Sequence, residues 1–261
     1  MSATSRGRVV LSAAILAIGL AVPAAGQRGA QGNRGGTPPT TGRGAAPYDL
    51  TGYWVSLVTD DWRYRMLTPP KGNVDYLPVS AEARRAANDW DPTKDEANGE
   101  QCRAYGAGGV MRLPGRLHIT WEHDNALRLE TDAGSQTRRF VFGDSSAPAG
   151  APTWQGHSVA RWEFPPVARG RGPDAVARGQ LKVSTNNLRA GYMRKNGVPY
   201  GPNAVVTEYF LRLVDTTGQE YLAVTTMLED AQYLQQPYVK TYQFKKQRDA
   251  AGWNPTPCVA R

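Results

Sequence analysis

Histidine is scarce in this chain, with three in 261 residues: His118, His123 and His157. None stands in a His-x-His or His-x-x-x-His spacing, so the usual zinc pairs of strands and helices are excluded. Cysteine is scarcer still, and Cys102 and Cys258 have no neighbouring histidine that would make them a metal site. A Gly-rich phosphate loop, a Gly-x-Ser-x-Gly elbow and a Cys/His catalytic pair are all missing. The P-loop enzymes and the nucleophile-based hydrolases therefore lack their defining parts here. No cofactor and no metal is expected. The longest apolar run, residues 9–22, falls short of the roughly 20 residues a spanning helix needs.

That run has another use. Arg6 and Arg8 precede it, and Pro23, Ala24, Ala25 and Gly26 follow as small residues suited to cleavage. Residues 1–26 read as a secretory signal peptide, which predicts a periplasmic or secreted protein with no transmembrane segment after its removal. Residues 27–47 are Gly, Arg, Thr, Pro and Ala with almost nothing to bury, the composition of a disordered tether. Five of the 31 Lys and Arg residues precede Tyr48, and all 23 Asp and Glu residues follow it. The net charge of +8 thus shrinks to +3 over residues 48–261, too small an excess to argue for a nucleic-acid partner.

Residues 48–261 read as one domain. Twenty-eight Gly and 19 Pro interrupt the chain too often for long helices, while seven Trp and 12 Tyr favour short strands. Alternation is clear at 116–122, where Leu117, Ile119 and Trp121 oppose His118, Thr120 and Glu122. Residues 126–131 return as a hairpin partner, and further strands are predicted at 136–142, 157–163, 180–186, 204–214, 220–229 and 238–246. One helix is expected at 80–90, with Ser80 as its N-cap and Glu82, Arg84 and Arg85 solvated. About nine or ten strands, mostly in consecutive hairpin order, predict an all-β fold, an antiparallel barrel with one short peripheral helix. A β-sandwich is the alternative. In an oxidising compartment the two cysteines predict a Cys102–Cys258 disulfide, worth at most about 4–5 kcal/mol by loop entropy.

The densest chemistry lies at residues 152–163. As a strand from His157 onward, it places His157, Val159, Arg161 and Glu163 on one face and Ser158, Ala160 and Trp162 on the other. The spacing Pro152-x-Trp154-x-Gly156-His157-Ser158-x-x-x-Trp162-Glu163 resembles a group of secreted bacterial barrel proteins, lipocalin-like in fold and mostly without assigned activity. Later elements share the resemblance: a strand over 181–187, then Val206, Thr207 and Glu208, then Leu228, Glu229 and Asp230 before Gln236, Pro237 and Tyr238. Gly52 and Trp54 also resemble the opening of lipocalin-like barrels, where the Trp plugs one end. Two departures stand out: Phe164 and Pro165 replace a frequent Gly-Asp, and Tyr200 stands where relatives often have His. The loss of that His weakens any two-histidine mechanism.

Two functional readings follow. In the first, the barrel binds an apolar or aromatic small molecule, with Trp154, Arg161, Asn187, Arg189, Tyr192 and Tyr200 as contacts. In the second, His157 works with Glu163 or Glu208 as acid and base in a hydrolase, lyase or isomerase. Facing carboxylates in a barrel are more often held by arginine, and Arg161, Arg189, Arg194 and Arg212 are available. The sharpest expectation is that His157, Glu163 and Glu208 surround one internal polar site. Val206 and Phe210 share a face with Glu208, so that face should be buried and its carboxylate should need a cation.

Overall fold

The structure, a computed structural model, describes residues 41–59, 62–143, 150–165 and 179–261. The expected signal peptide, residues 27–40 of the tether and most of the Gly/Arg loop after Phe164 lie outside the described residues. Nine strands close into a barrel: β1 (Gly52–Leu57), β2 (Arg116–His123), β3 (Ala126–Thr131), β4 (Gln136–Phe142), β5 (His157–Glu163), β6 (Gln180–Asn186), β9 (Val205–Val214), β10 (Glu220–Glu229) and β11 (Tyr238–Lys246). Around the barrel they run β1-β11-β10-β9-β6-β5-β4-β3-β2, so closure leaves no free edge. A two-stranded hairpin, β7 (Gly191–Arg194) with β8 (Val198–Tyr200), lies apart from this sheet, in a stretch whose sequence reads as loop.

The barrel is mixed rather than fully antiparallel. β4 and β5 run parallel, with Phe140 opposite Ser158 and Phe142 opposite Ala160. A hairpin turn cannot join parallel neighbours; the chain must cross back over a dozen or so residues. The segment between Phe142 and His157 has that length, and it joins parallel rather than antiparallel neighbours.

The helices are short: α1 (Trp62–Arg65), α2 (Ala81–Asp89) and α3 (Pro92–Ala97). α2 is the expected one. The Ser80 hydroxyl accepts from Ala83 N at 3.1 Å, and Ala83 and Ala87 turn inward. α3 was not expected; Asp91 caps it and Pro92 opens it. No helix among the described residues is long and apolar enough to cross a membrane.

Alternation in the strands fills the barrel with its own side chains. Trp54, Ile119, Leu129, Phe140, Leu181, Phe210 and Phe244 belong to one apolar cluster and are buried completely or almost so. Each such side chain contributes roughly 1.5–3 kcal/mol of burial. Trp54 also donates its indole N–H to the Leu50 carbonyl at 3.0 Å. A second cluster joins α2, β7, β8 and the far ends of β9 and β10 through Ala83, Met193, Tyr200, Val206 and Leu228. Residues 41–47, the end of the expected tether, touch the barrel: Gly42 N donates to Asn125 Oδ1, and its carbonyl accepts from Trp162 Nε1, each at 2.7 Å. Cys102 and Cys258 are joined in a disulfide that ties the C-terminal segment to the chain entering β2.

Candidate functional site

The structure does not bring His157, Glu163 and Glu208 together. On β5, Ser158 and Ala160 are buried, so the opposite face, with His157 and Glu163, lies on the barrel's outside. Glu163 accepts from Arg161 Nη2 at 2.7 Å and lies 3.7 Å from Lys182, which holds its carboxyl below the ordinary glutamate range. Glu208 points inward from β9 and is wholly buried. The wall of the barrel therefore separates it from the other two, and no internal acid–base trio exists. The expectation fails because parity places His157 and Glu163 on one face without saying which face is inside.

The six expected ligand contacts also scatter. Arg161 is occupied with Glu163. Arg189 lies over the Trp154 ring at 4.4 Å and pairs with Glu100 at 3.0 Å. Asn187 lines a surface depression with Pro152, Leu188 and Asn203. Tyr192 donates to the buried Asp95 carboxylate at 2.9 Å, beneath Arg103, and burial pushes its pKa up. Tyr200 is a core residue. Gly106, Gly108 and Gly191 wrap it so closely that a methyl at any of them would fall within 3 Å of its ring or hydroxyl.

What the barrel does hold is a polar belt. Inward residues on β9 run Val206, Glu208, Phe210; on β10 they run Leu228, Thr226, Val224. In both strands the outer two belong to different apolar clusters and the middle one is polar. Lys240 lies opposite Thr226 on β11 and shares a face with Tyr238 and Tyr242. Ser158, Thr185 and Arg138 continue the belt across β5, β6 and β4. Arg138 grips Glu208 with both terminal nitrogens, at 2.8 and 2.6 Å, and reaches Thr185 Oγ1 at 3.2 Å. Thr185 is bonded in turn to Ser158 at 2.8 Å. Thr226 Oγ1 is buried without a hydrogen-bond partner.

Three more buried arginines gather above β11. Arg65, on α1, donates to the Arg112 carbonyl at 2.9 Å and the Leu57 carbonyl at 2.6 Å, with its guanidinium 5.3 Å from the Tyr242 ring. Arg112 ends the 3-10 turn Val110–Arg112, whose Val110 and Met111 pack into the barrel core. Its Nη1 donates to the Tyr64 carbonyl at 2.6 Å, while Nε and Nη2 are buried without a partner. Arg194 ends β7; it donates from Nη2 to the Asp75 carbonyl at 3.0 Å and lies 4.8 Å from the Tyr64 ring. Its Nε and Nη1 have no partner either. Arg112 and Arg194 are each only 4% exposed. Burial lowers the Arg112 pKa, Tyr242 and Tyr238 act against the shift, and Arg194 and Arg65 add repulsion. Beside this group Tyr76 has φ 61°, a left-handed backbone that a bulky residue adopts at a cost of roughly 1–3 kcal/mol. Its ring meets Tyr64 edge-on while remaining 86% exposed.

Charge here is one-sided. Among the described residues, Glu208 is the single carboxylate of the belt, and Arg138 occupies it. The other buried carboxylates are engaged elsewhere: Asp95 by Tyr192 and Trp90, Asp132 by backbone N–H groups and Arg116, Asp230 by loop N–H groups. Buried donors without acceptors are rare, and each points to strain, water or a ligand. Among the described residues no group of three or more His, Cys, Asp or Glu is placed to hold a metal ion.

Sequence reasoning left Arg65, Arg112 and Arg138 out of the site. A signal for Arg138 was present, since it shares parity with Phe140 and Phe142 on an apolar face. Arg112 and Arg194 carry a fainter one, as cations closing the apolar stretches Val110, Met111 and Tyr192, Met193. No protein-family model, curated protein or solved structure matches this chain.

Proposed function

We propose that this protein is an exported, lipocalin-like binding barrel whose small-molecule ligand sits where Arg112 and Arg194 face the inner side of β11. The observation that carries the reading is the set of buried guanidinium N–H groups on these two arginines with no acceptor. Taking a charged group out of water costs several kcal/mol unless a partner replaces the solvent. A fold that holds two such groups is arranged for something that supplies acceptors. Export is supported by the leader-like N-terminus and by the disulfide. An apolar ligand in the barrel's middle has little to support it, because Trp54, Phe140, Phe210 and Phe244 already fill that space. Catalysis has less support still, because His157 and Glu163 face away from Glu208.

Native mass spectrometry of the mature protein purified from a periplasm is the test. The expected result is a small-molecule adduct that disappears on denaturation. The bare mass, together with no thermal shift across a panel of small metabolites, would remove the binding reading.

A further inference from the structure

The ligand's chemistry can be narrowed, on the premise that the binding reading above holds. In a guanidinium, Nε–H and one N–H of Nη2 point along the same edge, forming a two-pronged donor matched to two oxygens of one carboxylate or phosphate. On Arg112 that edge is the one left open, because the bond to the Tyr64 carbonyl uses Nη1. Arg138 shows the alternative within the same barrel: its Nη1 and Nη2 edge is closed on Glu208. Arg112 is also anchored from below, since its carbonyl accepts from Arg65 and its two preceding residues lie in the core. The fork is therefore held in place before any ligand arrives, which removes much of the ordering cost of binding.

We infer that Arg112 is the anchor for an oxyanion group, a carboxylate or a phosphate, of a small ligand, and that Arg194 supplies a second cation to it. Arg194 reinforces the site through Nε and Nη1, while its Nη2 is tied to the Asp75 carbonyl. Tyr64 connects the two arginines, offering its carbonyl to Arg112 and its ring to Arg194. Tyr238, partly buried on β11, provides aromatic surface for the remainder of the ligand. Arginine rather than lysine is required at position 112, because an ammonium cannot present two parallel donors in one plane.

The probes are inorganic phosphate and benzoate, titrated calorimetrically into the mature, disulfide-bonded protein at low and high salt. Benzoate saturating at the lower concentration identifies a carboxylate on a ring as the preferred form; phosphate doing so identifies a phosphate group. Arg112→Met should abolish binding of both probes, and Arg112→Lys should weaken it at least tenfold. Arg194→Met should weaken it less, and should flatten the dependence on salt. If Arg112→Met does not fold, Arg112→Lys and Arg194→Met carry the test. Binding that survives both Arg112→Lys and Arg194→Met unchanged overturns the inference. So does a wild-type protein that ignores both anions yet carries a neutral adduct in native mass spectrometry, a result that leaves the binding reading standing. Neither anion bound and no adduct of any kind would bring down both.

Discussion

Arg138 and Arg112 are the same residue type, buried to nearly the same degree in neighbouring parts of one barrel, yet their surroundings differ completely. Arg138 meets a carboxylate with two bonds, a hydroxyl with a third, and the Phe140 ring at 5.0 Å. Arg112 meets one carbonyl and two more arginines nearby, and no carboxylate among the described residues. The first arrangement supplies its own counter-charge, with only Arg138 Nε left without a hydrogen-bond partner. The second places charge where the described residues provide no counter-charge, and so the two regions should respond to mutation in opposite ways.

The largest effect is expected from breaking the complete pair. Glu208→Gln leaves Arg138 buried and charged, and should lower unfolding free energy by about 3–5 kcal/mol in a urea titration. Arg112→Met should behave otherwise in the ligand-free protein: stability within about 1 kcal/mol of wild type, or higher, because removing an unpaired buried charge relieves desolvation. A loss as large as that of Glu208→Gln would mean that Arg112 holds the fold as Arg138 does, and the contrast would collapse. The smallest effect belongs to the exposed pair on the other side of the same wall. Glu163→Gln, which breaks the contact with Arg161, should cost less than about 1 kcal/mol. Because the Glu163 pKa is lowered in the folded protein, its contribution is present above about pH 4.3 and is lost as pH falls through the lowered value. The difference between wild type and Glu163→Gln should therefore vanish in acid, and a difference that persisted at pH 3 would assign it to packing.

Much of the barrel was legible because alternation is a local property. Leu117 and Ile119 turn inward as their spacing implies, and His118 faces Glu130 across the β2–β3 hairpin at 3.2 Å. Glu208 is buried, as Val206 and Phe210 imply, and its partner is an arginine. That partner is Arg138, outside the set of arginines the sequence suggested. The parallel pairing of β4 and β5 was missed, although the length of the chain between them admits a crossover. β7 and β8 were missed because residues 191–200 are polar and aromatic by turns and lack a clean period of two.

Taken alone, the sequence settles which side chains share a face, where α2 begins at Ser80, and that Glu208 needs a cation. These depend on neighbours within a few residues, through the geometry of strand and helix. Which face is inside, which arginine reaches Glu208, and which arginines are left with open donors depend on closure. Arg65, Arg112, Arg138 and Arg194 come from α1, a 3-10 turn, β4 and β7, and only the closed sheet brings them near β9 and β11. Among the described residues one carboxylate lies inside the belt, and Arg138 holds it. That placement of charges is a property of the enclosed volume, which no local pattern in the chain can express.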